Sequence, residues 1–127
     1  MACPPDALEW QLSHDAGTAG SPVRFEFTVE NLSGRACLID AGAQTLVLTV
    51  VSGEDRIWSN AHCGSADPVR LLLGPEDATT RAVTWPGTRS APGCAAAEGA
   101  VLPGTYQLGL AYARVEVPEA AAVFTLR

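Results

Sequence analysis

Pro22-Val-Arg-Phe-Glu-Phe-Thr-Val-Glu-Asn31 decides the fold. Val23, Phe25, Phe27 and Val29 alternate strictly with Arg24, Glu26, Thr28 and Glu30. A period of two gives one dry face and one wet face, which is the pattern of a half-buried β-strand. No charge falls on the dry side, and two of the three Phe of the chain sit there, so the core should gather around this strand. Asn31-Leu-Ser-Gly34 then supplies turn chemistry.

Outward from that strand the same reading repeats. Leu8, Trp10 and Leu12 alternate in Ala7–Ser13 and predict a first strand. Short strands are expected over 36–40, 56–59, 69–73, 79–85 and 121–126, with a longer one over 105–112 in which Tyr106, Leu108, Leu110 and Tyr112 share a face. The run 44–52 is apolar on both faces in part and should be central in its sheet. Gly and Pro turn signals separate these segments. Asn60 to Pro68 reads as irregular, and Pro86 to Leu102 as a long loop. Only Ala95-Ala-Ala-Glu98 favours helix, and flanking glycines limit it to about a turn. The expected fold is all-β: an antiparallel β-sandwich of about seven to nine strands, forming one domain over residues 1–127, which the resemblance given below makes Ig-like. A small closed barrel is the competing architecture.

The chain has 127 residues, 47% of them hydrophobic, enough for one core. Its net charge is −6, and all eight basic residues are Arg, with no Lys. An acidic chain without a basic cluster is a poor nucleic-acid binder and has little to offer an anionic membrane surface. No apolar run is long enough for a membrane span. The lack of Lys beside many Ala, Gly and Arg hints at a GC-rich genome. Met1-Ala2-Cys3 starts abruptly and has no signal-peptide core, as if a leader or anchor had been trimmed away; Ala2-Cys3 also reads as the remnant of a lipobox.

Cysteine use bears on compartment. Cys3, Cys37, Cys63 and Cys94 lie at intervals of 34, 26 and 31 residues, with no C-x-x-C among them. Zinc ribbons and thioredoxin-type motifs lose their usual spacing. An even count at long intervals suits two structural disulfides in an exported domain; four free thiols in a cytosolic chain are the alternative. Of three connectivities, Cys3–Cys37 and Cys63–Cys94 are favoured, since each joins a loop to a later strand end. Each link contributes roughly 3–4 kcal/mol in the chain-entropy model.

Chemistry-bearing residues are sparse. His62-Cys63 is the only adjacent pair of potential ligands, and neighbours on extended backbone point to opposite faces. With two His, neither near a plausible catalytic Ser, a hydrolase triad has little support. Glu54-Asp55 and Glu76-Asp77 read as solvated turns rather than a calcium loop. No metal, cofactor or catalytic set is therefore expected. Trp10, Trp58 and Trp85 fall on apolar strand faces, where core packing is the default. Trp85 becomes a contact residue if it faces out beside the long loop, and Tyr112 carries the same double reading. His62 and Arg89 complete the candidate partner-binding set, on the 60–68 and 86–102 loops.

Several elements then line up in a familiar order. Phe27-Thr-Val-Glu-Asn-Leu-Ser33 resembles the F-x-V-x-N-x-S strand and turn of Ig-like envelope domains. Arg56-Ile-Trp58, Leu73-Gly-Pro-Glu76, Val83-Thr-Trp85-Pro-Gly87 and Leu102-Pro-Gly-Thr-Tyr106 follow in sequence. The set is similar to the intracellular proteinase inhibitor (BsuPI-like) family. The cysteines, with Trp58-Ser59…Cys63 and Ser90-Ala-Pro-Gly-Cys94, look more like exported actinobacterial domains of uncharacterised function. The resemblance implies a non-enzymatic, secreted or membrane-anchored domain of the cell envelope, binding a protein or wall component without entering the membrane itself. A protease inhibitor acting through a loop is the alternative.

Overall fold

The computed structural model describes residues 1–127. Its strands are β1 (Leu8–His14), β2 (Val23–Asn31), β3 (Cys37–Asp40), β4 (Leu46–Ser52), β5 (Asp55–Ser59), β6 (Arg70–Leu73), β7 (Ala78–Trp85), β8 (Gly104–Tyr112), β9 (Val115–Glu116) and β10 (Ala122–Leu126). All strand pairings within the sheets are antiparallel. One sheet runs β1-β2-β7, the other β10-β8-β4-β5 with β9 beside β8, and β3 and β6 form a separate ladder. The all-β, Ig-like sandwich with two disulfides is thus what the sequence predicted.

The alternation in β2 does what its period requires. Val23, Phe25, Phe27 and Val29 are buried, and β2 is the middle strand of its sheet. The Phe25 ring lies 6.3 Å from Trp58 and 5.5 Å from Phe124, both in the opposite sheet. Trp10 meets Tyr112 across the sandwich at 5.0 Å. Each fully buried aromatic or aliphatic side chain contributes about 1.5–3 kcal/mol of transfer free energy, so this interlayer is the main source of stability. Strand β4, expected to be central, lies between β8 and β5.

The buried Asn31 organises one end of the sandwich. Its amide nitrogen donates to the carbonyls of Arg35, Leu73 and Gly74, and its oxygen accepts from the N–H and the hydroxyl of Ser33. That is the physical content of the N-x-S signature: one side chain ties the end of β2 to the turn after it and to the end of β6. Cys3–Cys37 closes the same end. Tyr106, near the start of β8, donates its hydroxyl back to the Leu102 carbonyl, a tyrosine-corner arrangement.

Two local expectations need correction. The helical turn is at Asn60–Cys63, not at 95–98. Ser59 caps it, its hydroxyl accepting from Ala61 N at 3.2 Å, whereas the left-handed Gly93 and Cys94 turn the chain into extended backbone at Ala95. Strand β9 escapes the sequence reading for a related reason. A two-residue turn joins it to β8, and both turn residues, Ala113 and Arg114, have positive φ. Such turns usually announce themselves with Asn or Gly, and here neither is present. No helix is long and apolar enough to cross a membrane.

Candidate functional site

The 86–102 loop leaves β7 and runs along the outer edge of β5. Gly87 starts it with φ +88, and a Cβ there would fall 2.3 Å from Ser21 O, so only glycine fits. Ser90 then fastens the loop to β5: its N–H donates to Ile57 O at 3.1 Å, and its Oγ accepts from Ser59 N at 3.2 Å. Arg89 makes a bidentate pair with Asp55 at the start of β5, at 3.2 and 2.7 Å. Gly99 folds back over the Arg89 stem; a Cβ there would sit 3.2 Å from Nε. Cys63–Cys94 closes the far end of the arc onto the 60–63 turn.

Beneath this arc the 60–63 turn is held by side chains acting as backbone. Asn60 Oδ1 accepts from Leu48 N at 2.8 Å, and its amide nitrogen donates to Leu46 O at 3.1 Å, continuing the β4 ladder beyond β5. Gln44 donates to the carbonyls of Ala61 and Gly64. The 60–68 and 86–102 loops therefore meet, and the expected disulfide is the covalent part of that meeting.

The candidate residues divide. His62 and Arg89 lie in the junction. His62 Nδ1 is 2.6 Å from Ser90 Oγ, a pairing across 28 residues that the sequence reading missed when it found neither His near a plausible catalytic Ser. Ser90 Oγ accepts from Ser59 N and keeps both a second lone pair and its own proton for His62, so the tautomer of the ring sets the direction of this bond. Burial, with the nearby Arg56 charge adding to it, pushes the His62 pKa below its ordinary value, in keeping with a neutral ring. The contact has the form of a base beside a hydroxyl, but Nε2 has no side-chain partner to orient it. Asp55, read as part of a solvated turn, is held below the ordinary carboxylate range by the Arg89 hydrogen bond.

Trp85 and Tyr112 lie elsewhere. Trp85 is fully buried, its Nε1 donating to Thr88 O at 2.9 Å, so it is a core residue and not the outward-facing contact its position allowed. Tyr112 is half-buried; its hydroxyl accepts from Asp40 N at 3.0 Å, which commits it to joining β8 to β3. Ser90 had only its place in the Ser-Ala-Pro-Gly-Cys run to announce it.

No group of three or more His, Cys, Asp or Glu is placed to hold a metal ion. An open groove of about 380 Å³ lies on the outer face of the second sheet, floored by Gly109 and flanked by Arg56 and Glu116. It offers one charge of each sign and no aromatic platform, and it is separate from the loop junction.

No family model matches the chain, and a search among curated proteins finds no match. Solved structures do resemble it. A β-glucosidase from Erythrobacter marinus aligns with 94% of this chain at 12% identity and a TM-score of 0.58. A β-glucosidase involved in saponin metabolism from intestinal bacteria aligns with 94% at 16% identity and 0.57. The Pseudomonas fluorescens alkylpurine DNA glycosylase AlkC, bound to DNA containing an abasic-site analogue, aligns with 95% at 12% identity and 0.56. The chain spans only 15%, 16% and 30% of the lengths of these three proteins. At such identities the likeness is one of fold, and the fold recurs as one part of much longer chains.

Proposed function

We propose that this chain is a non-enzymatic binding or structural domain working outside the cytoplasm, at the cell envelope, with the 86–102 loop as its contact surface. One observation carries the reading. Residues 92–100 are nine consecutive exposed positions, mostly Ala and Gly, pinned by Cys63–Cys94 and Ser90 to the edge of a rigid sheet. A loop with no core role of its own, held at low conformational freedom, is what a rigid scaffold uses to meet a partner. Two disulfides favour an oxidising compartment, and the recurrence of the fold within longer proteins suits a module. The acidic balance of the chain speaks against nucleic acid as the partner.

The test is photo-crosslinking of the exported protein in its producing cells. A photoreactive residue at Ala97 should yield a discrete adduct. The same residue at Leu32, at the far end of β2, should not. Arg89→Ala and His62→Ala should weaken the Ala97 adduct, because they loosen the arc. No adduct from Ala97, or equal adducts from both positions, overturns the placement. Stoichiometric inhibition of a protease by the isolated chain would replace this reading with the inhibitor one.

A further inference from the structure

The edges of the sheets are not equally protected. The loop described above covers β5. Residues 17–19 close the end of β10, through Ala19 N to Arg127 O and Arg127 N to Gly17 O. Residues 1–3 cover β3, through Cys3 N to Leu38 O and Leu38 N to Met1 O. Strand β1 lies against the 118–120 turn and β10. The free edge of β6 is only four residues long.

Strand β7 has no such guard. It runs eight residues, Ala78-Thr-Thr-Arg-Ala-Val-Thr-Trp85, and pairs only with β2. Its ladder with β2 is continuous, without a bulge, and every backbone hydrogen bond of the strand lies within that ladder. It contains no Pro and no Lys, carries one charge, and is rich in β-branched residues. Of the usual devices that prevent edge pairing, Pro, Lys, a bulge and a cover are missing from this longest open edge, and Arg81, on the inward side of the strand, is the one present.

We infer that β7 pairs antiparallel with β7 of a second copy of this chain, joining two three-stranded sheets into one of six strands. The sequence of the strand is self-complementary in a register centred on Ala82. Side chains directly opposite must share a face, so Ala82 meets Ala82 and Thr80 meets Thr84 on the outer face, and Arg81 meets Val83 on the inner one. No like charges then stand opposite one another. A register centred on Arg81 would oppose two guanidiniums and is disfavoured.

The neighbouring strands fit the same register. Within one copy Thr80 lies beside Thr28, their hydroxyls hydrogen-bonded at 2.7 Å, and Thr84 lies beside Arg24. The joined sheet thus carries an outer row of Thr28, Thr80, the partner's Thr84 and the partner's Arg24. Glu26 lies beside Ala82, and two strands of Ala keep the two Glu26 side chains about 14 Å apart. Each Glu26 is also paired with its own Arg24.

Sedimentation velocity over a concentration series up to roughly 1 mM tests this, since even a weak contact is populated there. The wild type should pass from monomer to dimer. Ala82→Arg should remain monomeric throughout: it sets two guanidiniums face to face across the axis, yet within one chain it sits beside Glu26 and leaves the fold intact. Unchanged thermal unfolding of Ala82→Arg at low concentration checks that point, and Thr84→Lys gives a second disruptive variant at an exposed position. In the wild type, amides of β7 should gain hydrogen-exchange protection as concentration rises. A wild type that stays monomeric overturns the inference. So does a dimer that survives both substitutions, because it must use another surface.

Discussion

Two regions of this molecule are closed by disulfides of nearly equal span, and they do different work. Cys3–Cys37 bridges 34 residues and Cys63–Cys94 bridges 31, so the chain-entropy model gives them almost the same weight. Their surroundings differ. Cys3 and Cys37 are 5% and 3% exposed and belong to the core, beside the Asn31 network. Cys63 and Cys94 are exposed, and they join one helical turn to a surface loop. The same covalent link fixes the fold in one region and only the shape of a loop in the other. Loop length alone does not say which.

Removing each link in turn tests the contrast most severely. Cys3→Ala with Cys37→Ala should cost about 4–5 kcal/mol in urea unfolding, because lost chain constraint adds to lost core packing. Cys63→Ala with Cys94→Ala should cost about 1–2 kcal/mol, because the loop can open while the sandwich stays folded. The order of reduction should match. Under limiting dithiothreitol at neutral pH, mass mapping should find Cys63–Cys94 opened while Cys3–Cys37 stays intact, since thiolate attack needs access to sulfur. Equal costs and equal reduction rates would erase the distinction.

The two regions were also unequally legible. The Asn31 region could be read because its parts are local: a strict alternation, an N-x-S turn and a Leu-Gly-Pro stop. The cysteine pairing is favoured because each link joins a loop to a later strand end, and the two links are those formed. The arc depends on contacts between residues 28 to 34 positions apart, such as His62 with Ser90 and Arg89 with Asp55, which no period or motif encodes. Trp85 shows the limit from the other side. Its strand position allowed a core or a contact role, and only its burial and its bond to Thr88 decide for the core.

A polar contrast comes next in size. Asn31→Leu removes the donor to three carbonyls, two of them at the turn after β6, and should cost about 3 kcal/mol or more, measured by denaturant unfolding. Asn60→Ala, beneath the arc, deletes two bonds to β4 in a half-buried place and should cost about 1 kcal/mol. Local exchange should reveal the second better than global unfolding: amides of 60–64 should lose protection while those of β2 keep theirs.

The smallest effect is set by pH, and Asp40 and His62 should answer acid differently. Burial opposes ionisation of Asp40, but hydrogen bonds from Gly42 N, Val69 N and the Thr45 hydroxyl outweigh it and lower its pKa. A depressed carboxylate stabilises the fold above its unfolded pKa, and that contribution is lost as pH falls through the folded value, well into acid. His62 is also lowered, but for a base the meaning changes. The folded state prefers the neutral ring, so the unfolded chain takes up the proton first, at about pH 6.5. Stability is therefore full above that pH, falls as pH drops toward the folded pKa of His62, and is level below it. In the charged ring both nitrogens are donors, so Nδ1 can then only donate to Ser90 Oγ. Between pH 7 and 5, then, the loosening should be confined to the arc. Following the His62 ring protons by NMR should give a midpoint below the ordinary imidazole value of about 6.5, with amide exchange quickening at 88–94 and not at 31–37. A His62 midpoint at or above about 6.5 would show that the arc favours the charged ring, with Ser90 as its acceptor.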